Sequence, residues 1–217
     1  MKAIGNIHLI WRKGKGSRRF SVGIIKRNAT EGIRFHYNQE EVAEAKKQGF
    51  TAYEGFPNLE KEYVENVIDI FGQRIIKTER NDIGNFLDFW MIDRKYIDDK
   101  YYMLAYTQGL LPTDNYEFLA DFNPVQGLSF VTEITGLSKM QIDSKCLKSD
   151  SSLRYELESD NPYDNYAVKV FTGELYLGHI KKIHCRVFHM AKKSLNISLH
   201  NIEKNGVLRR VFIKVTL

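Results

Sequence analysis

The stretch Glu-Ser-Asp-Asn-Pro-Tyr-Asp-Asn-Tyr-Ala-Val-Lys-Val-Phe, residues 158–171, leaves a folding chain few options. Pro162 has no backbone N–H to give and fixes its own φ. Asp160, Asn161, Asp164 and Asn165 bond readily to nearby backbone groups. Five residues of this kind exclude a helix interior and predict a stiff turn. Directly afterwards, over 165–171, Tyr166, Val168 and Val170 fall on one face, the pattern of a strand. A second short strand follows at 175–179 (LYLGH), then a helix near 181–193. The turn therefore lies at the rim of a sheet.

The same alternation recurs at 128–134, 195–201 and 207–217, and 140–146 and 153–157 also read as strands. Val211, Ile213, Val215 and Leu217 share a face. Five or six short strands with one main helix predict a small β-barrel of the OB or related type over residues 125–217. The pattern upstream is different. Strands are expected at 6–11, 20–27 and 33–37. Asn38 then caps a helix, with Glu41 three residues on, and Gly49 stops it. Further helices are expected near 59–71, 82–92 and 98–109, the second carrying Ile83, Phe86, Leu87, Trp90 and Met91 at helical spacing. The change of pattern at 122–126 (FNPVQ) separates a 1–122 α+β domain from the 125–217 domain, so the fold class is α+β.

Charge is unevenly placed. Residues 1–27 hold eight Lys/Arg and no acid, residues 28–124 hold ten bases against eighteen acids, and residues 125–217 hold fourteen bases against nine acids. Two basic regions thus flank an acidic middle, which directs any phosphate-bearing partner to the ends. The glycine-rich segment RKGKGSRR, between two expected strands, reads as a hairpin tip with a salt-sensitive phosphate contact. It lacks the Gly-Lys-Ser/Thr opening a helix that a phosphate-binding loop needs. No run of about 18 apolar residues is present, so no membrane span is expected. Two cysteines do not make a disulfide framework, and a cytoplasmic location is expected.

Catalysis and metal binding find little support. His184, Cys185 and His189 are close in sequence but lack partner ligands with metal-site spacing. The acids Glu158, Asp160 and Asp164 cluster in one turn instead of converging from separate elements as a metal nuclease requires. Neither an enzyme activity nor a cofactor is expected. Residues 159–182 instead combine an aromatic ring on which a base can stack (Tyr163), amide and carboxylate groups (Asn161, Asp164), His179, and lysines at a helix start (Lys181, Lys182) that can meet phosphate.

At these residues the sequence resembles the HIRAN domain. That family is marked by an Asn-Pro-Tyr-Asp-x-x-Ala-Val turn and strand, then a Gly-His or Gly-Tyr step and basic residues; this chain has NPYDNYAVKV at 161–170 and LGHIKK at 177–182. The resemblance covers about 125–217. It implies a modified OB-like barrel and recognition of single-stranded DNA at its 3′ end. Asn161, Tyr163, Asp164, His179 and Lys182 would occupy the binding positions. Asp164 would accept a bond from the terminal 3′-hydroxyl, Tyr163 would meet a base, and Lys182 a phosphate. The strand GLSFVTEI resembles the one that supplies an aromatic and an arginine. Phe130 would be the aromatic, but Ser129 stands at the arginine's place. Upstream, VGIIKRN, GIRFHY and VENVIDIFGQRII resemble the small N-terminal subdomain of HipA-type proteins, without the kinase part. That likeness implies a protein-interaction or antitoxin-like regulatory module, the alternative to a DNA-binding role and a possible site for a protein partner.

Overall fold

A computed structural model describes residues 2–217 and shows an α+β protein with two antiparallel sheets. The chain divides into two compact units, Ile4–Asp121 and Phe122–Leu217, the second taking in Lys2 and Ala3. No helix is long and apolar enough to cross a membrane.

In the first unit, β1 (Ile4–Trp11), β2 (Phe20–Asn28), β3 (Gly32–Tyr37) and β4 (Tyr116–Phe122) form a sheet in the order β3-β2-β1-β4. Helices α1 (Gln39–Lys46), α2 (Val67–Gly72), α3 (Ile83–Phe89) and α4 (Lys100–Thr107) complete it. Asn38 caps α1, its side chain accepting from the Glu41 N–H, and Asp99 caps α4, accepting from the Tyr101 and Tyr102 N–H groups. The core is an aromatic cluster in which Phe35, Phe56, Phe71 and Phe118 are fully buried. Tyr37 threads it, donating to the Phe56 carbonyl at 2.7 Å and accepting from the Tyr53 N–H at 2.9 Å. Burial holds that phenol protonated far above its ordinary range.

The helix expected over 59–71 is confined to Val67–Gly72. Tyr63 is instead recruited as an extra bridge on β3, exchanging both backbone bonds with Phe35 at 2.8 and 2.9 Å. Asn66, at φ 54, breaks the chain between bridge and helix. Strand β4 carried no alternation to reveal it, because Phe118, Leu119 and Ala120 are buried in succession.

In the second unit, β5 (Ser129–Thr135), β6 (Arg154–Glu158), β7 (Ala167–Thr172), β8 (Leu175–Ile180), β9 (Asn196–Asn205) and β10 (Val207–Thr216) form one sheet in the order β6-β7-β8-β5-β10-β9. Among the described residues no ladder joins the edge strands β6 and β9 into the expected closed barrel. The strand expected at 140–146 is replaced by the short helix α5 (Leu137–Met140) and a 3₁₀ turn at Ser144–Cys146. Gln141, at φ 49, and the Asp143 side chain, accepting from the Lys145 N–H at 2.8 Å, curl the backbone there. Helix α6 (Lys182–Met190) buries Ile183, Val187 and Phe188 against the sheet, with Phe188 edge-on to Tyr155 of β6.

One irregularity shapes this sheet. Val170 pairs with Gly178 and Phe171 with Tyr176, so Leu177 is an extra residue on β8. Gly178 takes φ +134, and a methyl group there would lie 2.2 Å from the Thr135 carbonyl oxygen of β5. The Gly-His step thus serves a bulge pressed on its neighbouring strand. Gly178→Ala is expected to lower stability by at least ~2 kcal/mol. Gly14→Ala, with nothing within 4 Å, should change it by no more than ~0.5 kcal/mol. Urea unfolding followed by far-UV circular dichroism measures both.

Candidate nucleic-acid interface

The turn between β6 and β7 is held from within. Asn161 Oδ1 accepts from the Tyr163 N–H at 2.9 Å and the Asp164 N–H at 3.1 Å. Asp164 Oδ1 accepts from the Tyr166 N–H at 3.0 Å, and the Asp164 carbonyl from the Ala167 N–H at 2.9 Å. These are the local bonds that Asn and Asp make in turns. With the backbone secured in this way, Tyr163 projects outward, 88% exposed.

Beneath the turn is a polar cluster centred on Glu158, the last residue of β6. Its carboxylate accepts from Lys169 Nζ at 2.6 Å, Asn161 Nδ2 at 2.8 Å and His179 Nε2 at 2.8 Å. The bonds from Lys169, His179 and Asn161 pull its pKa down to about 2. An ionised carboxylate only accepts, so His179 carries its proton on Nε2. In the neutral ring, Nδ1 accepts from the Tyr176 hydroxyl at 2.7 Å. Tyr176 and His179 are three residues apart and would face opposite ways in a regular strand; the extra residue at Leu177 brings them to one side.

A carboxylate, an imidazole and a hydroxyl in line have the layout of a nucleophile relay. Here burial and the nearby Glu158 charge raise the Tyr176 pKa, so the phenol is protonated and donates to the His179 ring. Burial and the Asp164 charge push the Cys185 thiol up to about 12, which keeps it protonated near neutral pH.

The other expected site residues divide sharply. Lys182, first residue of α6, is exposed, and no carboxylate pairs with it among the described residues. Lys181 does not meet solvent: its side chain is 0% exposed and pairs with Glu133 at 3.4 Å. Phe130 is no stacking platform either. It is fully buried, stacked on Phe122 with ring centroids 4.2 Å apart. Both corrections involve β5: Phe130 points to its packed side, and Lys181 is folded against its Glu133.

Three contributors escaped the sequence reading. Lys169 and Tyr176 act through Glu158 and His179. Tyr166 is 47% exposed and stands edge-on to His189 of α6, with centroids 5.4 Å apart. The spacing of Lys169, opposite Glu156 and diagonal to Glu158 across the β6–β7 ladder, was the available signal.

No family model, curated protein or solved structure matches this chain.

Because the folded state holds Glu158 ionised, its contribution to stability is fully present above the ordinary glutamate pKa of 4.5 and is lost as pH falls through about 2. Glu158→Gln is therefore expected to cost more stability at pH 6 than at pH 2. Lys169→Met is expected to raise the Glu158 pKa in a carbon-13 carboxyl titration. An unmoved Glu158 pKa in the Lys169 variant would remove the lysine as its main partner.

Proposed function

We propose that the second unit binds single-stranded DNA, DNA 3′ ends above all, without catalysing a reaction on it. One observation carries the reading: a tyrosine ring 88% exposed on a turn whose backbone is internally bonded. Displaying so large an apolar ring to water forgoes the gain from burying it, and a rigid mount means little entropy is lost when a base stacks on it. The surroundings support the same ligand. Lys182 offers a charge for phosphate, and Lys192 and Lys193, just beyond α6, are exposed with no carboxylate paired to them among the described residues. Asp164 lies one residue from the stacking ring, where a carboxylate accepts a 3′-hydroxyl and repels a 3′-phosphate.

The HIRAN-like motif supports this assignment of roles to Asn161, Tyr163, Asp164, His179 and Lys182. Asn161 and His179 act here as mounts, since their polar atoms are engaged with the turn, Glu158 and Tyr176. An OB-like curl of the sheet belongs to the same proposal. In its favour, the Tyr155 hydroxyl of edge strand β6 accepts from the Leu195 N–H, one residue before the opposite edge strand β9, at 3.1 Å.

Fluorescence anisotropy with labelled single strands ending in 3′-hydroxyl or 3′-phosphate tests the proposal. Tyr163→Ala is expected to weaken binding by about 5- to 150-fold, the worth of one stacked base at roughly 1–3 kcal/mol. Wild type should prefer the 3′-hydroxyl strand, and Asp164→Asn, which keeps the acceptor of the Tyr166 N–H, should narrow that preference. Unchanged affinity in Tyr163→Ala would reject the site, and indifference of wild type to the two ends would reject end recognition.

A further inference from the structure

A second, separate feature lies in the first unit. A cleft of about 200 Å³ opens between the β1–β2 hairpin and the C-terminal end of α1, lined by Lys13, Ser17 and Arg18 on one side and Glu44, Lys47 and Gln48 on the other, with Phe20 also in its wall. We infer that this cleft binds a phosphate group.

Close by, two cations meet acids: Arg19, just before β2, with Glu117 at 2.5 Å, and Arg27 of β2 with Asp99 at 2.7 Å. In the cleft, no carboxylate lies within ion-pair distance of Lys13 or Arg18 among the described residues, and Arg18 feels only Glu44 at longer range, although residues 28–124 supply eighteen acids. Lys47 shares the single local carboxylate, Glu44, at 2.5 Å. Three cations thus face one anion, which leaves the cleft with a net positive charge. A lysine at the end of α1 is accounted for by the helix dipole. That explanation does not reach Lys13 and Arg18, which come from the hairpin.

The hairpin also has a shape suited to an anion. The Gly14 carbonyl accepts from the Ser17 N–H at 3.1 Å, closing a turn with Gly16 at φ +81, the value that the third position of a type II turn requires. This tight reversal sets Lys13 and Arg18 on either flank. Arg18 is oriented before any ligand arrives, with its guanidinium 4.7 Å from the centre of the Phe20 ring. The guanidinium fork and the lysine ammonium groups suit a multiply charged oxyanion, and the Ser17 hydroxyl and Gln48 amide add neutral donors. Glu44 sits on the opposing wall, and its bond with Lys47 lowers its pKa, so it remains charged and limits affinity. Phosphate could come from a polynucleotide backbone or as the free ion.

The inference stands independently of the reading of the Asn161–Tyr166 turn, and its test keeps the two apart. Full-length nitrogen-15-labelled protein is titrated with inorganic phosphate, with chloride at matched ionic strength as the reference. Saturable shifts of the Gly14, Gly16, Ser17 and Gln48 amides are expected with phosphate alone. Lys13→Ala/Arg18→Ala should weaken the apparent affinity at least ~10-fold. Glu44→Gln should strengthen it, and Lys77→Ala, an exposed lysine elsewhere in the unit, should leave it unchanged. Repeating the titration on Tyr163→Ala protein with a thymidine oligonucleotide identifies the source. Movement of the same amides assigns backbone phosphate; movement with inorganic phosphate alone assigns the free ion. Shifts that fail to saturate, match those with chloride, or survive the double substitution would overturn the inference.

Discussion

The ionised carboxylate of Glu158 is the point on which the rim of the second sheet depends. It receives one bond from each of three places: Lys169 on β7, His179 on β8 and Asn161 in the turn. Lys169 and His179 sit directly opposite each other in the β7–β8 ladder, and two potential cations side by side would disfavour that register. The carboxylate placed diagonally between them reverses the sign of the interaction. By holding Asn161 Nδ2 it also fixes which way the Asn161 oxygen points, and that oxygen organises the Tyr163 and Asp164 amides. One charge thereby connects the pairing of three strands to the display of a loop.

Sheet geometry separates this polar arrangement from the core. Glu156, Glu158 and Lys169 lie on one face of β6 and β7. Tyr155, Leu157, Val168 and Val170 lie on the other, the face where Tyr155 meets α6. The β8 bulge lets Tyr176 and His179 both join the polar side, and Gly178 makes the bulge possible. The brace therefore depends on a backbone irregularity that no alternation rule would produce.

Legibility followed the same division. Strands with one solvated face, such as β7 and β10, showed their period, and Asn38 announced α1 through its own capping chemistry. What escaped depends on position in the sheet. Phe130 alternates like any half-buried residue, and only the strand order puts β5 in the interior. Lys181 looked like a solvent-facing helix-start lysine because burial against Glu133 requires a partner 48 positions away. Tyr63 fitted a helical period, but its backbone serves β3 through an exchange of bonds with Phe35. In each case the sequence defined a local pattern and a distant contact chose its use.

The basic residues require the same care, because counting them does not locate a binding surface. Arg19, Arg27, Arg74, Lys169, Lys181 and Arg210 all add to the net charge, yet each is neutralised by a nearby carboxylate. Among the described residues, the cations without such a partner include Lys13 and Arg18 on the hairpin, and Lys182, Lys192 and Lys193 near the two ends of α6. An acid-paired cation is already desolvated and bonded, so recruiting it to a phosphate means breaking an existing pair, whereas an unpaired one has only water to shed. The distinction is invisible in composition, where the first 27 residues appear uniformly basic. In the folded chain Arg27, Lys169 and Arg210 are paired along strands, and Arg74, just beyond α2, is tied to Asp114, so these cations act as structural ties.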